Sequence, residues 1–175
     1  MAWKHLLQNK MISEDTISMK FYLKMLKYIR TFLGENSNKI VLKYFILFAI
    51  GGITYFLMEV MSRGFSHWSM AFVGGIAFIA CGLINEILKW ETPLWKQSII
   101  GGLLITLMEL ISGIIINIIF KWDIWDYSDF KFNFLGQISL RYSLIWCLLA
   151  VIAIVVDDYL RYWLFGEEKP RYKFL

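Results

Sequence analysis

Gly51-Gly52-Ile53-Thr54-Tyr55-Phe56-Leu57-Met58-Glu59-Val60-Met61-Ser62 is followed further along the chain by Gly101-Gly102-Leu103-Leu104-Ile105-Thr106-Leu107-Met108-Glu109-Leu110-Ile111-Ser112. Both glycines, the Leu, the Met, the Glu and the Ser recur in register. Each copy places one carboxylate inside an apolar run long enough to cross a bilayer. Inserting an Asp at the centre of such a helix costs about 2.5–3.5 kcal/mol, so an acid there marks a functional position.

The runs around these phrases set the fold class. Hydrophobic residues make up 58% of the 175 residues, and the mean hydropathy is +0.56. They fall in blocks rather than in stripes, unlike a soluble domain. Four windows are long enough to span, at roughly 20 residues each: Ile40–Met61, Trp68–Leu88, Ser98–Phe120 and Phe134–Val156. The expected fold is an all-α polytopic bundle of four transmembrane helices. The first 39 residues lack an apolar signal core, so the first span is expected to act as an uncleaved signal anchor. Cys81 and Cys147 lie inside spans without metal or disulfide spacing and read as packing residues.

Charge predicts orientation. Lys4, Lys10, Lys20, Lys24, Lys27, Arg30 and Lys39 precede the first span; Lys89 and Lys96 lie between the second and third; Arg161, Lys169, Arg171 and Lys173 end the chain. The opposite side has Arg63, Lys121 and Lys131, diluted by Asp123, Asp126 and Asp129. The positive-inside rule puts both termini in the cytoplasm. The net charge of +4 then reflects topology and anionic lipid, with no call for nucleic acid.

Three regions are expected: a cytoplasmic segment over 1–38, a membrane domain over 39–158, and a cytoplasmic tail over 159–175. In the first, Ser13 to Gly34 reads as a helix with Lys20, Lys24 and Lys27 on one face and Tyr22, Met25, Leu26 and Ile29 on the other. That amphipathic pattern suits anionic headgroups at the membrane interface. In the second, repeats over about 46–88 and 96–156 each hold two spans. An even number makes the repeats parallel, related by an axis along the membrane normal, with Glu59 and Glu109 at matched depth. Gly51, Gly52, Gly74, Gly75, Gly101, Gly102 and Gly136 read as small-residue helix contacts. Trp68, Trp90, Trp95, Trp122, Trp125 and Trp163 read as an interfacial aromatic belt.

Among candidate chemical groups, Glu109 is too deep to reach water, and Arg141, early in the fourth span, is its expected partner. Glu59 lies near Arg63, and Glu86 near Lys89. Asn133 joins Glu59, Glu109 and Arg141 as an expected polar path. The loop Lys121–Asn133 is too aromatic for a solvated linker; Trp125, Asp126, Tyr127 and Ser128 are expected to form a lid, with an Asp126–Ser128 turn. Ser128 has no neighbouring base, and His5 and His67 are isolated, so no catalytic residue, metal or cofactor is expected.

Trp125-Asp126-Tyr127-Ser128, then Phe132-Asn133-Phe134-Leu135-Gly136-Gln137-Ile138-Ser139-Leu140, with Tyr142 and Trp146, resembles the signature of the CmpB-like membrane proteins, a bacterial ABC-transporter type IV family. The resemblance covers roughly 46–158. It implies a small polytopic bundle in a bacterial plasma membrane, with Glu59, Glu109, Asp126 and Asn133 at the matching polar positions. The chain has no Walker motif, so any ATPase would be a separate chain, and the segment Lys89–Gln97 leaves little room for a coupling helix.

Three functions fit these residues. The first is a transporter or channel component, with a homodimer or partner membrane protein completing a path lined by Glu59 and Glu109. The second is an accessory or scaffolding protein whose polar core fixes helix docking. The third is an enzyme on lipid headgroups, using Glu109 and Asp126 as acid and base.

Overall fold

An apolar segment in hydrocarbon must satisfy its own backbone, and a helix does so within one segment. In the computed structural model, which describes residues 37–88 and 91–173, the apolar blocks form four long helices. They are α1 (Ser37–Arg63), α2 (Trp68–Ile87), α3 (Leu94–Gly113, continued by a π-helical turn Ile114–Ile119) and α4 (Leu140–Phe165). Each is long and apolar enough to cross a membrane, α3 and α4 with 26 residues apiece over Leu94–Ile119 and Leu140–Phe165. The amphipathic helix expected over 13–34, and Lys89, lie outside the described residues. The chain divides into two compact units, Met1–Leu42 and Lys43–Leu175. The described part of the first is the opening of α1; the bundle belongs to the second.

Large apolar side chains are exposed along whole helix faces, such as Leu103, Leu107 and Ile111 on α3 and Leu144, Leu148 and Ile152 on α4. Spacings of three and four make these continuous rows. Helices apolar on both their inner and outer faces suit lipid as the surrounding medium.

Glycines set how closely the helices approach. A Cβ at Gly52 would collide with the Ala71 carbonyl, and one at Gly75 would lie 2.7 Å from the Phe48 carbonyl oxygen, so α1 and α2 touch backbone to backbone. On α3, a Cβ at Gly101 would lie 2.7 Å from that of Ala150, and one at Gly102 would lie 2.9 Å from the Cys147 Cα. Ser98 adds a hydrogen bond across this contact, its hydroxyl donating to the Cys147 carbonyl at 2.7 Å. Cys81 and Cys147 are free thiols, and Cys81 is buried with Ile84, Leu94, Ala150 and Ile154 in the core. Gly136 departs from its expected place in a helix contact. It sits in the turn of a short hairpin, β1 (Asn133–Phe134) and β2 (Ile138–Ser139), at φ +67. The fourth helix starts only after that hairpin, where the Ser139 hydroxyl accepts from the Tyr142 amide.

At its other end α4 runs past the boundaries expected at Val156 and Asp158, as far as Phe165, and Gly166 closes it in the left-handed conformation. Asp157, Asp158 and Arg161 are all buried. Asp157 pairs with Arg161, and the guanidinium also reaches Glu86 at 3.4 Å. Asp158 accepts from the Asn85 amide at 2.5 Å and the Tyr172 hydroxyl at 2.7 Å. With the charges answered on this face, apolar side chains such as Trp163 and Leu164 continue outward. The segment after Gly166 folds back over this end. Glu167 pairs with Lys43 at 2.6 Å, and the Lys173 carbonyl accepts from the Leu94 amide at 2.7 Å, serving an otherwise uncapped start of α3. Burial and the hydrogen bond to Asp158 push the Tyr172 phenol up, which keeps it a donor.

Gly102→Val tests the α3–α4 contact. Overpacking of this kind costs about 1–3 kcal/mol, so the thermal midpoint in detergent is expected to fall by several degrees; an unchanged midpoint would show that the helices are not held this close.

Candidate functional site

Glu109 lies seven residues beyond Gly102, about two turns further on the same face of α3. The close contact at Gly102 therefore brings the Glu109 carboxylate against α4. One oxygen accepts from the Trp146 indole N–H at 2.8 Å, and the other from the Tyr127 hydroxyl at 2.8 Å. The residue is 8% exposed. Both partners are neutral donors, and none of the ion pairs among the described residues includes Glu109.

Glu59 faces the same space from α1 in a different electrostatic setting. Its carboxylate accepts from Arg63 at 2.9 Å and from the Ser66 hydroxyl at 2.5 Å. Tyr55 donates to it weakly at 3.4 Å, and the Tyr55 ring lies 6.0 Å from that of Trp146. Both acids line a cavity of about 180 Å³ between the four helices. Its walls are mainly apolar, including Val73, Phe78 and Ile105. Met58, Ile152 and Val156 also line it and are 41%, 58% and 40% exposed. The cavity thus opens sideways, between α1 and α4, onto the apolar outer surface.

The loop after α3 closes one end of this space, and Asn117 fixes it there. The π-helical turn carries the Asn117 side chain inward, where its amide donates to the Trp125 carbonyl and the Gln137 side chain, each at 2.9 Å, and accepts from the Ile124 amide at 2.8 Å. Trp125 is buried, its indole donating to the Gln137 carbonyl at 3.0 Å. Tyr127 stacks on Tyr142 at 4.5 Å between ring centres. Burial, then the neighbouring Glu109 carboxylate, push the Tyr127 phenol well above its ordinary value, so it remains a donor.

Asp126 and Ser128 are exposed and make a local turn, the carboxylate accepting from the Ser128 amide at 2.8 Å and hydroxyl at 2.6 Å. These bonds hold the Asp126 carboxyl below its ordinary value. Lys121, Asp123, Phe132 and Leu135 all have positive φ, at 57, 48, 57 and 56°. Each non-glycine residue in that region costs about 1–2 kcal/mol, and strain of this sort clusters at functional sites.

The sequence candidates therefore divide. Glu59, Glu109, Trp125 and Tyr127 line one cavity. Asn133 is exposed in the loop, where its amide donates to the Ser128 and Phe130 carbonyls. Arg141 is also exposed; its guanidinium lies over the Phe130 ring, 5.4 Å from the centre, and the pairing expected with Glu109 is not the one formed. Trp146 takes that place. Three contributors escaped the sequence reading: Trp146, Tyr55 and Asn117. The signal for Trp146 and Asn117 was their position, a hydrogen-bonding side chain set inside an apolar run.

Residues 44–165 match the family described as "Putative ABC-transporter type IV". The chain belongs to this family. No solved structure matches it. Family and four span-like helices together describe an integral membrane protein of this ABC-transporter type IV group.

Two predictions follow from the carboxylate and loop geometry. Trp146→Phe and Tyr127→Phe each strip one donor from a buried carboxylate. Each is expected to destabilise the protein by about 1–3 kcal/mol in denaturation experiments; two neutral substitutions would contradict the assigned bonds. The second concerns pH. Because the Asp126 carboxyl is depressed in the folded protein, its turn contributes fully above the ordinary Asp range and is lost as pH falls through the folded value. Exchange protection of the Ser128 amide should fall over that acid window, and Asp126→Asn should remove the dependence.

Proposed function

We propose that this family member is a transport component whose substrate site is the cavity holding Glu59 and Glu109, and that the site engages positive charge, as a proton or a cation. The observation that carries the reading is Glu109, a buried carboxylate on a cavity wall served only by neutral donors. An anion left without a counter-charge in low dielectric favours either a proton or a bound cation. The strained loop over the cavity, with Trp125 and Tyr127 packed against it, fits a cover on the site.

The positive-inside pattern argues for placing that loop outside and the Asp157–Arg161 end in the cytoplasm. The family description supports coupling to an ABC ATPase, which would be a separate chain because this sequence has no Walker motif. Such a partner would meet the end carrying the short α2–α3 connection and the folded-back segment after Gly166. A second copy or a partner membrane protein would cover exposed helix faces. The scaffolding alternative draws on the Asp157–Arg161–Glu86 network, which fixes helix docking without using the cavity.

Proton and ion flux in proteoliposomes separates the two. At matched incorporation, wild-type flux is expected to be lost in Glu109→Gln and reduced in Glu59→Gln. Flux that survives in both variants would reject the cavity as the path.

A further inference from the structure

We infer that the cavity takes an ammonium group carried on an apolar chain, with the ammonium against Glu109 and the chain leaving between α1 and α4. The inference rests on the reading of this cavity as the substrate site and names the chemistry of what enters it.

Charge selects the sign of the ligand. Glu59 already has Arg63 at 2.9 Å, whereas Glu109 has the indole of Trp146 and the phenol of Tyr127. Of the two carboxylates, Glu109 is the one left to answer a cation, and an anionic head would meet both acids. The walls then select the kind of cation. A small metal ion needs about six oxygen ligands, and a cavity lined by Val73, Phe78, Ile105 and similar side chains does not offer them. An ammonium bearing carbon substituents needs few. It gains from aromatic faces, whose negative quadrupole attracts it within about 6 Å of the ring centre. Tyr55, Trp146 and Tyr127 supply such rings around Glu109, with Tyr55 and Trp146 6.0 Å apart.

Size and access select the apolar chain. The cavity of about 180 Å³ exceeds the roughly 150 Å³ that accepts a benzene-sized molecule. It therefore holds a substituted ammonium and the first part of its chain. The cavity reaches from Glu59 to Ile50 along α1, about 13 Å of helix. Along that length it is open beside Met58, Ile152 and Val156. A chain placed there continues into the surrounding hydrocarbon, so a ligand dissolved in the bilayer reaches Glu109 without crossing water. Two sources share this chemistry: a free alkylammonium and an amine-headed membrane lipid.

The test uses the purified full chain in maltoside micelles, with the thermal midpoint measured against octyltrimethylammonium, octanol and octyl sulfate. Saturating octyltrimethylammonium is expected to raise the midpoint by roughly 5 °C or more, with octanol and octyl sulfate giving no comparable rise. Equal stabilisation by all three, or none by the ammonium, overturns the inference. Glu109→Gln should lose the preference for the ammonium, and a preference that survives in that variant also overturns it. If that variant does not fold, the wild-type comparison of three heads on one chain decides alone. Short-chain phosphatidylethanolamine and phosphatidylglycerol then separate the sources. A rise with the first only assigns a membrane lipid; a rise with neither, beside a positive octyltrimethylammonium result, assigns a free cation. The two readings fail separately. Ammonium binding without any flux rejects transport and keeps the ligand class, while Glu109-dependent proton flux without ammonium binding does the reverse.

Discussion

The contact of α3 with α4 at Gly101 and Gly102 is the constraint from which the site follows. With no Cβ on either residue, the two backbones lie as close as the Cys147 main chain allows. Two turns along, the same proximity places Trp146 within hydrogen-bonding reach of Glu109. In lipid, apolar surface gives little drive for helices to associate, so close packing and interhelical hydrogen bonds carry the docking. Gly102 supplies the first here, and Ser98 and Trp146 the second. A bulkier residue at Gly102 would separate the helices and leave a buried carboxylate short of one donor.

The bundle is polar at its two ends and apolar between them. At one end, Glu59 is neutralised by Arg63 while Glu109 has only uncharged partners. At the other, Asp157 and Arg161 pair inside α4, and Asp158 is held by Asn85 and Tyr172. Removing one member of a buried pair costs about 3–5 kcal/mol, so the second cluster acts as a clamp on α2, α4 and the folded-back segment. The difference between the ends is functional in consequence. A cluster that answers its own charges is suited to hold helices, and a carboxylate that does not is suited to receive a ligand.

The four spans were legible because hydrocarbon demands apolar length, and length survives in the sequence without knowledge of partners. Gly52, Gly75, Gly101 and Gly102 were legible for a related reason, since small residues at helix spacing signal close approach. The partner of Glu109 was not. Opposite charge pointed to Arg141, but Ser139 starts α4 only after the hairpin, so Arg141 falls in its first turn and reaches Phe130 instead. Trp146 lies more than a turn deeper, at the level of the carboxylate. The π-helical turn that aims Asn117 at the loop has no sequence signature among Ile114–Ile119, and Gly136 resembled a helix contact because the hairpin that holds it depends on Asn117 and Gln137. The end of α4 was misplaced because Asp157, Asp158 and Arg161 read as interfacial until their partners in α2 are seen.

The central claim is that Glu109 faces a space reachable from the hydrocarbon and suited to an organic cation. Modification by a hydrophobic carbodiimide, mapped by mass spectrometry on the protein in lipid vesicles, tests it most directly. The account predicts that Glu109 is modified and that octyltrimethylammonium protects it in proportion to its binding. An unmodified Glu109, or one modified equally with the ammonium present, would contradict the account.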